Sequence, residues 1–174
     1  QDIPEFLKLC GSKLKEIKKI AIIGAGRVGT IVAEKLIERK SNFITRLFKR
    51  EGNPTQEFCI IDSDENLAKA AAEKFSKIKV FCTDATEEGF VEEEGIDKYD
   101  LVICTTSNHE LNIVMAAYFE SLGIKNSIAL VQNNAFGEIA RKIGIEVAVP
   151  IRDTVVDSIM SHLKGKAVTG VHTV

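Results

Sequence analysis

Six consecutive residues, Gly24-Ala25-Gly26-Arg27-Val28-Gly29, have the types and spacing to cradle a phosphate. In a G-x-G-x-x-G turn the first glycine permits a tight bend. The second lets the backbone approach a pyrophosphate, and the third lets a helix pack close to a strand. A helix opening here would aim unpaired N–H groups and the positive end of its dipole at the ligand. Arg27, between the second and third glycines, can reach a phosphate in its own or a neighbouring subunit. It also reads as a solvated surface arginine. The glycine pattern alone is a weak signal. Its context strengthens it, because an apolar run precedes it and an amphipathic segment follows.

A dinucleotide site also needs a carboxylate at the end of the second strand to accept from ribose hydroxyls. Asp62 closes the run Cys59-Ile60-Ile61, with Ser63 beside it. Its rival is Glu51, which stands nearer the usual distance from the glycines but is followed by the breakers Gly52 and Pro54. A helix N-cap is the alternative role for Asp62. Asp64 and Glu65 follow at once, so a 2′-phosphate would meet repulsion and NADP is disfavoured. Asp84, with Ala85, ends the third apolar run, where an adenine edge would lie. It either accepts from the adenine amino group or caps a short helix. Thr105, Thr106 and Asn108 follow the fourth run, at the point where ligands enter such sheets. They can bond a second ribose or phosphate, or serve as turn and cap residues.

Residues for catalysis are not evident. His109 is near the entry crevice, but no acid or base partner is visible for it. His162 and His172 fall in the tail, and Tyr118 is followed four positions later by Leu122 rather than lysine. No catalytic residue, metal site or enzyme activity is expected. Cys59, Cys82 and Cys104 each lie in an apolar run and read as buried free thiols. Cys10 stands apart, and no pair has C-x-x-C spacing.

The elements that must position these groups alternate. Strands are expected at 20–23, 58–61, 78–82, 101–104, 127–131 and 146–149. Helices are expected at about 28–39, 65–75, 87–94, 110–122 and 135–143. This rhythm predicts a Rossmann-like, doubly wound parallel sheet with helices on both faces. Residues 1–18 read as a linker or lead-in helix, 19–150 as the nucleotide-binding unit, and 151–174 as a crossover helix and a strand that starts a truncated C-terminal lobe. Residues 41–57, with Arg46, Lys49 and Arg50, lengthen the first helix-to-strand connection. Gln1 at the start and a strand at the end suggest a piece of a longer protein.

At 174 residues the chain suits one domain, with no need of a staple. Its formal charge of −2 argues against nucleic acid as a partner. No apolar run is long enough to span a bilayer.

Several separated segments resemble one family, the RCK domains, also called KTN or TrkA-N domains. They are the glycine loop, Ile61-Asp62, Thr83-Asp84-Ala85-Thr86, Asp100 to Asn108 with Asn112 beyond, and Lys142-Ile143-Gly144-Ile145 before Pro150. The two ends resemble the second nucleotide-binding half of a double-domain member. This resemblance implies a cytosolic regulator that binds NAD(H) or ATP/ADP. It implies homo-oligomers, dimers within a tetrameric or larger ring, beneath a membrane potassium-translocating subunit of the Trk/Ktr type. The ligand positions it implies are Gly24, Gly26, Arg27, Gly29, Asp62, Asp84, Thr105 and Asn108, and the neighbouring Val28, Ser63 and Ala85 complete the expected site. Thr83 stands where the family usually has glycine, and Gln132-Asn133-Asn134 stands where many members carry an arginine. A cofactor lobe of an oxidoreductase and a nucleotide-free assembly module are the competing readings.

Overall fold

The computed structural model describes residues 17–47, 57–145 and 147–150. The expected lead-in helix, Cys10, most of the connection at 48–56 with Lys49, Arg50 and Glu51, and the tail from 151 with His162 and His172 lie outside the described residues.

Six parallel strands form one sheet: β1 (Lys19–Ile23), β2 (Glu57–Asp62), β3 (Lys79–Cys82), β4 (Leu101–Cys104), β5 (Ser127–Val131) and β6 (Val147–Pro150). The order across the sheet is β3-β2-β1-β4-β5-β6. β1 and β4 are therefore neighbours, and the chain winds outward from them in both directions. The crevice between their C-terminal ends is where ligands enter an open parallel sheet.

The helices are α1 (Arg27–Leu47), α2 (Glu65–Lys74), α3 (Phe90–Glu93), α4 (His109–Ser121) and α5 (Asn134–Lys142). A 3-10 turn, Ile96–Lys98, leads into β4. Successive strand residues point to opposite faces, so each strand feeds two cores. On one face Ile20, Ile22, Ile60 and Ile103 pack with Val32, Ala33 and Leu36 of α1 and Ala71 of α2. On the other, Ala21, Ile23, Ile61 and Cys104 pack with Val91 of α3, Ile113, Met115 and Phe119 of α4 and Ala140 of α5. Near-continuous apolar strands such as Leu-Val-Ile-Cys in β4 need this cover on both sides. Each wholly buried isoleucine contributes about 1.5–3 kcal/mol. This is the doubly wound parallel sheet expected from the sequence.

Three expectations need correction. The first helix does not stop near residue 39; α1 continues through Ser41 and Asn42 to Leu47, so the start of the supposed connection is helical. The short helix expected at 87–94 is a turn followed by four helical residues, because Gly89 takes a left-handed φ of 84°. Cys82 is exposed rather than buried, whereas Cys59 and Cys104 are buried as expected. β3 is an edge strand, and its last residue has no strand beyond it.

Candidate functional site

The glycine loop fills the turn between β1 and α1. Gly24 has a φ of 105°, a left-handed value that side chains rarely adopt. A Cβ there would also lie 2.9 Å from the Thr105 carbonyl carbon and the Thr106 amide nitrogen. At Gly29 a Cβ would lie 1.9 Å from the Gly24 carbonyl oxygen and 2.8 Å from Thr105 Oγ1. At Gly26 a Cβ would meet nothing within 4 Å. Two glycines are thus required by the protein's own packing, while the third faces open space. Gly26 also anchors the helix start, since its carbonyl accepts from the Thr30 amide at 3.0 Å and the Thr30 hydroxyl at 2.9 Å. Arg27 is exposed at the first helical residue, and Val28 is half-buried against the core.

Asp62 reaches across from β2 to this turn. Its Oδ2 accepts from the Ala25 amide at 2.6 Å, and its Oδ1 accepts from the Asp64 amide at 2.8 Å. A carboxylate oxygen can accept more than one hydrogen bond. Asp62 does not cap α2. Asp64 does, with Oδ1 taking the amides of Asn66 and Leu67 at 2.8 and 3.1 Å. The Gly24 amide donates to the Ile61 carbonyl at 2.8 Å, so the β1 turn is fastened to β2 twice. Ser63, Asp64 and Glu65 are all exposed beside it.

Beyond β3, Asp84 Oδ1 accepts from the Thr86 amide at 2.8 Å and the Thr86 hydroxyl at 2.7 Å. The amide bond, with the hydroxyl's help, holds the Asp84 carboxyl below the usual carboxylate range. The carboxylate closes its own turn rather than capping α3, whose N-cap is Gly89. Ala85 is buried, and Thr83 Oγ1 is 2.6 Å from Glu87 Oε2.

On the other side of the glycines lies the turn after β4. Thr105 is buried, with Oγ1 3.1 Å from the Ile23 carbonyl oxygen and 3.3 Å from that of Gly24. Its hydroxyl therefore points into the protein and supports the glycine turn from beneath. Asn108 is exposed and caps α4, accepting from the Leu111 amide at 2.9 Å. His109 opens α4, and its Nδ1 is buried without a hydrogen-bond partner among the described residues. Asn112, to which no role was assigned, is wholly buried and bonded to both Thr106 and Leu130. Among the described residues no group of three or more His, Cys, Asp or Glu could hold a metal ion, and no helix is long and apolar enough to cross a membrane.

The structure thus gathers the glycine loop, Asp62 and the β4–α4 turn at one end of the sheet, with Asp84 at the adjoining strand end. This is a Rossmann crevice built from loops at four strand ends. The TrkA-N domain profile matches residues 20–151. The chain belongs to the TrkA-N domain family. This TrkA-N chain is similar to the Trk system potassium uptake protein TrkA of Haemophilus influenzae. The two are 29% identical over 159 residues, which is 91% of this chain and 31% of that protein. It is also similar to TrkA homolog 1 of Methanosarcina mazei, at 26% identity over 174 residues, all of this chain and 39% of that one. The chain therefore spans 31–39% of the length of these two relatives. Its fold is shared with the TrkA-N domain of the inner membrane protein ybaL from Escherichia coli. There the TM-score is 0.62 at 14% identity, covering 86% of this chain and 98% of that one. The GsuK channel bound to NAD shares it too, with a TM-score of 0.54 at 22% identity, covering 87% and 24%.

Proposed function

We propose that this TrkA-N chain is a regulatory nucleotide-binding domain of a potassium uptake system and does no catalysis of its own. The observation that carries this reading is the pairing of an unobstructed Gly26 with an Asp62 already bonded to the loop beside it. The phosphates of NAD(H), ATP or ADP would lie over Gly26 and the amides at the start of α1, with Arg27 adding charge. Asp62 would accept from the adenosine ribose through lone pairs that its amide bonds leave, and Ser63 would line that edge. Asp84 and Ala85 would meet the adenine. Thr105 would support the loop from beneath, and Asn108 would shape the wall opposite. The exposed carboxylates Asp64 and Glu65 beside Asp62 disfavour a 2′-phosphate, hence NADP.

The relatives named for potassium uptake, and the channel of the same fold bound to NAD, support placing the domain beneath a membrane subunit of the Trk/Ktr type. It would act there at the cytoplasmic face as part of a homo-oligomer, dimers within a larger ring. Regulation requires only that a nucleotide bind one arrangement of the assembly better than another.

Calorimetric titration with NAD, NADH, ATP and ADP tests the reading. At least one is expected to bind with a dissociation constant of roughly micromolar order. If none binds below millimolar, the sensor function is wrong.

A further inference from the structure

Asn112 is wholly exempt from solvent and uses every hydrogen-bonding site it has. Its Oδ1 accepts from the Thr106 amide at 3.0 Å and from the Thr106 hydroxyl at 2.6 Å. Its Nδ2 donates to the Thr106 carbonyl at 3.0 Å and to the Leu130 carbonyl at 2.9 Å. Three of the four bonds grip a single residue of the β4–α4 turn, and the fourth anchors Asn112 itself to β5. A buried polar cluster with every partner satisfied enforces one geometry, because any other leaves a desolvated group unpaired.

The place of this clamp gives it a meaning. Strand order puts Asp62 and Asp84 on one side of the glycine loop and the turn after β4 on the other. An adenine mononucleotide with its phosphates on the loop is served by the β2 and β3 side. Thr106 abuts the Gly24 turn from the β4 side, so a ligand that continues past the phosphates would extend along it.

We propose that Asn112 is a positioning residue that clamps Thr106 to β5, shapes the β4–α4 turn for the second nucleoside of a dinucleotide, and so sets the preference for dinucleotides over adenine mononucleotides. The inference rests on the nucleotide site proposed above. Asn112 touches no ligand in this arrangement and acts through Thr106.

The test compares the dissociation constants of NAD and ADP by calorimetry in the wild-type chain, Asn112→Ala, Thr106→Val and Thr106→Ser, with ligand-free melts alongside. Thr106→Val deletes one clamp bond from a partly exposed side chain, so it keeps the test open if Asn112→Ala does not fold. The ratio Kd(NAD)/Kd(ADP) is expected to rise roughly tenfold in Asn112→Ala and Thr106→Val. It should stay within about twofold of wild type in Thr106→Ser, which keeps the hydroxyl. Equal weakening of both ligands, or no weakening of either, overturns the proposal. So does a wild-type chain that binds ADP and not NAD, which leaves the nucleotide site itself standing. A wild-type chain that binds neither overturns the site as well.

Discussion

Gly26 and Gly29 belong to one motif but answer to different forces. A Cβ on Gly29 would collide with the Gly24 carbonyl, in a turn fastened by the Gly24 amide to Ile61 and by the Ile23 carbonyl to the Thr105 amide. Gly29→Ala is therefore expected to cost about 1–3 kcal/mol and lower Tm by several degrees, read from thermal melts. Gly26→Ala meets no neighbour, so its melt should stay within about 1 kcal/mol of wild type. Its nucleotide affinity should nevertheless drop roughly tenfold or more, because the methyl takes the room a pyrophosphate would use. An unchanged affinity in a folded Gly26→Ala chain would remove the pyrophosphate from this loop. The glycine loop and Asp62 were legible in the sequence, since each comes at the end of an apolar run and has residue types its place demands. The inward turn of Thr105 and the clamp of Asn112 were not. Both depend on contacts between residues far apart in the chain, such as Asn112 with Leu130.

Elements were legible where a strong stop signal coincided with the end of a periodic pattern. The alanine-rich run from Glu65 made α2 legible, although its cap is Asp64, whose side chain holds two amides there, and not Asp62. Asp64→Ala should lower the stability of the fold by about 1 kcal/mol, measured by denaturant unfolding. An unchanged midpoint would mean that packing of Ala68 and Ala71 alone fixes the helix. α1 is the opposite case. Ser41 and Asn42 are poor helix formers and read as a loop, yet the helix passes through them to Leu47. Propensity differences of a few tenths of a kcal/mol per residue do not decide where a helix with an established nucleus ends.

At the scale of the molecule, alternation of strands and helices revealed the parallel sheet, but strand order came only with the structure. Periodicity says which residues are apolar, not which strand lies at the rim. The three described cysteines report that order. Cys59 in β2 and Cys104 in β4 are buried, and desolvation pushes the Cys59 thiol up to about 12 and raises that of Cys104 as well. Both stay protonated and unreactive near neutral pH, because the thiolate is the nucleophile. Cys82, at the end of the rim strand β3, is exposed. Alkylation of the native chain at pH 8, mapped by mass spectrometry, should label Cys82 and leave Cys59 and Cys104 untouched until denaturant is added. Native labelling of Cys104 as fast as Cys82 would contradict the central position of β4.

The bond from the Ala25 amide to Asp62 also bears on time. With that turn already tied to β2, an arriving nucleotide need not order it, and docking costs that much less conformational entropy. Capture would then be paced by encounter rather than by rearrangement of this turn. The nucleotides would differ in residence time, so the response of the site to a changing cellular pool would be paced by departure of the old occupant.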